Sequence, residues 1–216
     1  MLTRNELARM LAAEAAAGGF SDDGDLPHPR PAVELTPAAV LIGVLNRAEP
    51  TVLFTQRTAH LNDHAGQISF PGGRRDPGDR DAAHTALRET EEETGLAAHR
   101  IEVIGRIPDY TTGTGFLVTP VVGWVETPPA PSEYSHDAFE VAEVFEVPLA
   151  FLLDPTNHRR ETAMFKGRMR SYHAVPWQGR YIWGATAGML LSFYRAVTGA
   201  AGRSVEVPVA APLDSG

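Results

Sequence analysis

"DAAHTALRETEEETGL", residues 81–96, is the stretch on which the reading of the chain turns. It has the marks of a helix. Asp79 or Asp81 can cap its start, and Pro77-Gly78 precedes it. Gly95 supplies a left-handed stop, with Leu96 as the apolar residue that folds back. Ala83, Leu87, Thr90 and Thr94 recur at spacings of four and three, which predicts a narrow buried stripe. Glu89, Glu91, Glu92 and Glu93 crowd into five positions. On a helix Glu89 and Glu93 stack, Glu92 lies about 60° to one side, and Glu91 points away. Like charges four apart are destabilising, and an exposed pair between Arg88 and Glu92 offsets only ~0.3–0.5 kcal/mol. Two readings follow from the residues. One is a solvated acidic face. The other is a site for a hard divalent cation, which takes oxygen ligands and commonly one or two carboxylates together with substrate phosphates.

The composition bounds the rest. The chain has 216 residues, 43% hydrophobic and 21% charged, which suits one sizeable globular domain. The net charge of −8 argues against a broad nucleic-acid footprint but not against a phosphate held in a cleft. With no cysteine there is no disulfide, thiol nucleophile or thiolate metal site. Thr3 and Glu6 fit a capping box ahead of Leu7, Met10 and Leu11, a short amphipathic helix with membrane association as the minor alternative. No apolar run reaches the ~20 residues that span a bilayer, so the expectation is a soluble cytoplasmic protein.

Along the chain, residues 20–31 read as a Pro-rich linker. Strands are expected at 38–45, 52–56, "RIEVIGRI", "FLVTPVVGWV" and "FEVAEVFEVPL", the last leading to a short helix near Leu149. Residues 57–75 read as loop, and two or three further strands fall in 158–183. "WGATAGMLLSFYRAV" reads as a helix that buries Met189, Leu190 and Phe193. This order predicts an α/β chain with a sheet between helical layers. It divides as residues 1–32, an N-terminal helix and linker; 33–197, the main folded domain; and 198–216, a tail without pattern.

"FPGGRRDPGDRDAAHTALRETEEETGL" resembles the box of the Nudix hydrolases, matching at Gly73, Arg88-Glu89, Glu92-Glu93, Gly95 and Leu96. Arg80 stands where the usual box has a glutamate, a structural ion-pair partner in that family, and Asp79 and Asp81 flank it. The spacing from Gly73 to Arg88 is one residue longer than usual. Upstream, "LFTQRTAHLNDHAGQISFPGG" (53–73) resembles the signature of the coenzyme A pyrophosphatase branch, at Leu53, Thr55, Arg57, His64, Gly66, Gln67 and Phe70-Pro71-Gly72-Gly73. Asn62 departs from it, where the pattern has arginine. Further likeness runs through 118–123, 140–149 and 183–188.

The resemblance implies an α/β/α sandwich with a mixed sheet and the Nudix loop–helix–loop. It also implies metal-dependent hydrolysis of the pyrophosphate of coenzyme A to 3′,5′-ADP and 4′-phosphopantetheine. In that reading Mg²⁺ or Mn²⁺ is held by Glu89 and Glu93, with Glu92 and the carbonyl of Gly73 as further oxygen ligands. Gly72 and Gly73 let the backbone approach closely. The catalytic carboxylates are Glu89, Glu92 and Glu140. The general base is Glu89 or Glu140, the latter standing equally well as a solvent-facing strand residue. Glu143 and Glu146 read as surface residues. Arg57 is a bidentate phosphate contact or a surface ion pair. His60 and His64 read as loop hydrogen-bonders, and Trp183 and Phe193 as core or interface residues. The expected partner is a small molecule, coenzyme A or a derivative, with no nucleic acid and no membrane, and the chain is a monomer or homodimer. Two other readings compete: a Nudix hydrolase of ADP-ribose, a dinucleotide or a nucleoside triphosphate, and a Nudix-like sensor that binds a nucleotide without cleaving it.

Overall fold

The computed structural model describes residues 2–17, 21–22, 35–59, 66–165 and 167–199. Most of the linker, His60, Asn62, His64 and the tail from 200 onward lie outside the described residues.

The centre is a pair of ten-residue strands, β2 (Thr36–Leu45) and β8 (Phe116–Val125), parallel and in register from Thr36 opposite Phe116 to Leu45 opposite Val125. β3 (Thr51–Arg57) returns antiparallel to β2. It then pairs with β4 (Ile68–Ser69) and β9 (Val141–Pro148). β5 (Gly72–Arg74) pairs with the first half of β2. β6 (Glu102–Arg106) and β7 (Tyr110–Thr111) pair with β8, and β1 (Ser21–Asp22) runs parallel to β7. The result is a mixed sheet of nine strands among the described residues. The segment 57–75, expected as loop, thus contains β4 and β5. Strands of two or three residues are too short for an alternating pattern to show.

Successive strand residues face opposite sides, and the core follows that rule. Leu41, Leu53 and Val121 lie on one face, beneath Ala86 and Leu96 of the acidic helix α2 (Ala82–Thr94) and the turn after it. Ile42, Phe54 and Val122 lie on the other. That second face is covered by α1 (Arg4–Ala17) and α4 (Ala185–Thr198). It is also covered by a separate antiparallel sheet of β10 (Arg159–Phe165), β11 (Arg168–Trp177) and β12 (Arg180–Trp183). A short helix, α3 (Leu149–Leu152), follows β9 as expected. No described helix is long and apolar enough to cross a membrane.

The N-terminal helix packs on the domain. Its capping box forms, with the Glu6 carboxylate accepting from the Thr3 N–H at 2.9 Å and the Glu6 N–H donating to Thr3 Oγ1 at 3.3 Å. Leu7 and Leu11 are fully buried in the cluster that also holds Phe54 and Phe193. Met189, Leu190 and Phe193 are buried as expected, against α4's own domain. Trp183, by contrast, is 43% exposed, because it sits on the outer face of the small sheet beside Tyr172. Glu146 is not the surface residue expected of a charge on a strand. It accepts from Arg47 Nη2 at 2.6 Å, Thr51 Oγ1 at 2.6 Å and Tyr134 Oη at 3.1 Å, and these donors tie β9 to the turn after β2. Glu143 is half-exposed and ion-paired with Arg180, whose guanidinium lies 4.5 Å over the Phe145 ring.

Candidate active site

Asp81 settles the start of α2. Its carboxylate accepts from the His84 N–H at 2.8 Å, and Gly95 ends the helix in the left-handed conformation. The buried residues of α2 are Thr85, Ala86, Thr90, Glu93 and Thr94, whereas Ala83 and Leu87 are half-buried. The buried stripe therefore keeps the predicted Thr90 and Thr94 and differs in the first turns, where Thr85 and Ala86 are buried in place of Ala83 and Leu87. An acid, Glu93, occupies it because the helix packs against β5, where glycines leave room.

Those glycines bring the acids to the backbone. The Gly72 N–H donates to Glu93 Oε2 at 3.2 Å. A Cβ on Gly73 would lie 2.6 and 2.7 Å from the Glu89 carboxylate oxygens, so a side chain there would push that carboxylate from its place. Glu93 is 9% exposed, and burial pushes its carboxyl up to about 7, against the pull of the Gly72 N–H and Arg57 and with the push of Glu89 and Glu140. Burial raises Glu89 as well, countered by Arg88. Two partly desolvated carboxylates facing the β5 backbone make an oxygen donor set in which burial disfavours the charged form.

Arg88 organises the outer side. Its Nε donates to Asp79 Oδ1 at 3.1 Å and its Nη2 to Asp79 Oδ2 at 3.0 Å. The same guanidinium reaches Glu89 at 2.9 Å, Glu92 at 2.9 Å and the Arg74 carbonyl at 3.3 Å. Asp79 is buried and also accepts from the Asp76 N–H and Thr85 Oγ1, each at 2.9 Å. The Arg88 guanidinium, with those donors, holds its carboxyl well below the usual carboxylate range. Asp79 is thus the ion-pair partner that the box lacks at Arg80. Counting back from Arg88-Glu89 hides it, and the extra residue between Gly73 and Arg88 is the signal that shifts it.

The three carboxylates expected on one face do not all converge. Glu92 turns outward to Arg88 with its side chain 58% exposed, leaving Glu89 and Glu93 together. Glu91 points away, accepting from the Ala98 N–H at 3.1 Å. Among the described residues no three His, Asp or Glu side chains stand ready to hold a metal ion. The donors nevertheless suit Mg²⁺ or Mn²⁺: they are hard carboxylate oxygens, desolvated and mutually repelling, beside a glycine that keeps the space open.

Arg57 ends β3 at a bulge opposite Val141, near enough to Glu93 to act on its charge. Its Nε is buried without a hydrogen-bond partner among the described residues. That favours a bound group over the surface ion pair. Glu140 lies on the turn before β9, not on the strand. Its N–H donates to the Asp137 carbonyl at 3.0 Å, its carbonyl accepts from the Thr58 N–H at 3.0 Å, and its exposed side chain also acts on Glu93.

The NUDIX domain family matches residues 34–165. The chain is similar to the uncharacterized Nudix hydrolase NudL of Photorhabdus laumondii, with 39% identity over 153 residues, 71% of this chain and 80% of that protein. It is similar to the protein of the same name from Yersinia pestis, with 39% identity over 71% of this chain and 75% of that one. Among solved structures, a MutT/nudix family protein from Enterococcus faecalis aligns with a TM-score of 0.49 at 13% identity, over 95% of this chain and 75% of the other.

Proposed function

The chain belongs to the Nudix hydrolase family, and from that premise we propose that it hydrolyses the pyrophosphate bond of coenzyme A or its derivatives with the help of Mg²⁺ or Mn²⁺. The observation that carries the substrate class is Arg57. It lies in the 53–73 stretch that resembles the coenzyme A pyrophosphatase signature, at the end of β3, and it presents a buried Nε unpartnered among the described residues beside Glu93. A guanidinium in that position suits a phosphate oxygen.

Glu89, Glu93, Glu92 and the Gly73 carbonyl would hold the metal. When bound, it would neutralise charge on the phosphoryl oxygens and make a water more acidic. The protein does the rest by position. The Gly72 N–H fixes Glu93, and Arg88, clamped on Asp79, fixes Glu89. Arg57 orients the pyrophosphate. Glu140 takes the proton of the attacking water, since Glu89 is already ion-paired and the Glu140 carboxylate carries no partner among the described residues. A water oxygen bonds to phosphorus, the bridging P–O bond breaks, and its electron pair leaves with the departing phosphate.

The test is product identification by mass after incubating the enzyme with coenzyme A and Mg²⁺. The expected products are 3′,5′-ADP and 4′-phosphopantetheine, formed only with metal present. Free phosphate with dephospho-coenzyme A, or no products at all, would overturn the reading.

A further inference from the structure

Phe139 holds a large apolar side chain out at the rim of the site. It is 64% exposed and immediately precedes Glu140 on the turn before β9. Isolated exposed apolar residues are ordinary on protein surfaces, so exposure alone says nothing. The anchorage of Phe139 and its neighbours say more.

First, the turn is built around Asp137. The Phe139 N–H donates to Asp137 Oδ1 at 2.8 Å, and the Glu140 and Val141 N–H groups donate to the Asp137 carbonyl at 3.0 and 2.9 Å. A main chain fixed in this way presents its side chain with little further ordering to do on binding. Second, the turn is bonded to the residue after Arg57. Thr58 Oγ1 donates to the Phe139 carbonyl at 2.7 Å, and the Thr58 N–H donates to the Glu140 carbonyl at 3.0 Å. Phe139 therefore adjoins Glu140 in the chain and the neighbour of Arg57 in space, and both of those charged groups act on Glu93. Third, the acids Asp137 and Glu140 stand on the same turn, both exposed. A second phosphate is disfavoured beside them, whereas an uncharged apolar group is not.

Coenzyme A offers such a group on one side of its pyrophosphate. The pantetheine arm is uncharged, and its gem-dimethyl carbon lies two bonds from the phosphate ester oxygen. The other half sets a ribose and a further phosphate next to its adenine. Resting on the function proposed above, we propose that Phe139 is a specificity-determining residue whose ring packs on the gem-dimethyl end of the pantetheine arm while Arg57 holds the pyrophosphate. Substrates with a sugar or a bare phosphate at that place lose the contact.

Isothermal titration of the full chain in Mg²⁺ with 4′-phosphopantetheine and, separately, with 3′,5′-ADP reads the two halves of the substrate without turnover. Phe139→Ala is expected to weaken 4′-phosphopantetheine by ~5–30-fold, the scale for re-exposing part of a ring and two methyl groups, and to leave 3′,5′-ADP within ~2-fold. Phe139→Leu should keep most of the affinity, because the arm needs an apolar surface and not a stacking plane. Circular dichroism checks that each variant is folded. Loss confined to 3′,5′-ADP would assign the ring to adenine and overturn the proposal. Equal losses for both ligands, unchanged affinity for 4′-phosphopantetheine, or a wild type that does not bind it would overturn it too. Coenzyme A hydrolysis by the same wild-type sample separates this contact from the reaction. Binding of 4′-phosphopantetheine that depends on Phe139, without hydrolysis, contradicts the proposed function and upholds the contact. Hydrolysis together with affinity unmoved by Phe139→Ala does the reverse.

Discussion

Burial and charge pull Glu93 in opposite directions. The helix packs its carboxyl against Gly72, where water is excluded, yet the charged form is the one a hard cation uses. Glu93→Gln keeps the size and the packing and removes the charge. It is expected to lower kcat a hundredfold or more, about the scale of losing one preorganised electrostatic contact. Glu91→Gln, whose side chain faces the Ala98 N–H, should stay within a few-fold of wild type. Steady-state kinetics at saturating metal compare the two, and similar losses in both would remove Glu93 from the site. Asp79 makes the opposite case. Its folded-state pKa is depressed by Arg88, so its contribution to stability is present above its unfolded pKa of ~3.9 and is lost as pH falls through the folded value. The stability gap between wild type and Asp79→Asn, measured by urea unfolding, should therefore be widest near neutral pH and begin to narrow below about pH 4. A gap unchanged across that range would deny Asp79 its ion pair. Glycine and two acids at recognisable spacing make Gly73, Glu89 and Glu93 legible in the sequence. The turn of Glu92 toward Arg88 and the substitution of Asp79 for a displaced glutamate depend on side-chain directions that spacing does not carry.

At the level of elements, helix ends were more legible than helix faces. Asp81 and Gly95 bracket α2 because caps are local chemistry. Thr90 and Thr94 are buried as predicted, but the rest of the stripe was misplaced because what a helix packs against is not local, and here it packs against a glycine strand that tolerates an acid. α4 shows the same dependence. Gly188 lies inside the helix, where glycine is disfavoured, yet a Cβ there would come within 2.7 and 2.8 Å of Tyr110 ring atoms. Gly188→Ala should cost about 1–3 kcal/mol by overpacking, read from the urea midpoint. The Tyr110 hydroxyl is buried and unpartnered among the described residues. Adding Tyr110→Phe to Gly188→Ala should then recover part of the loss, since it removes the atom most in the way. Full stability of Gly188→Ala would mean that the helix sits off β7.

The whole molecule carries a net charge of −8 while acting, in this account, on a polyanion. The resolution is placement. Arg57 stands where β3 ends, beside Glu93 and with its Nε buried and unpartnered among the described residues, while Arg47, Arg88 and Arg180 are spent on ion pairs. Composition gives the sum of charge and not its arrangement, so those pairings were invisible beforehand. The docking of α1 was equally so, since Leu7 and Leu11 meet partners far along the chain. Leu7→Ala should cost about 2–5 kcal/mol, as for any filled core position, and a smaller loss in thermal unfolding would make α1 an appendage. The central claim is substrate choice among Nudix reactions, and a single competition decides it. Coenzyme A, ADP-ribose, a dinucleoside polyphosphate and a nucleoside triphosphate are mixed at equal concentration with enzyme and Mg²⁺, and their relative rates of disappearance give the ratios of kcat/KM. The account predicts that coenzyme A is consumed first, by at least ~10-fold over each competitor, a difference of about 1.4 kcal/mol in transition-state binding. Faster loss of any other substrate in that mixture would contradict it.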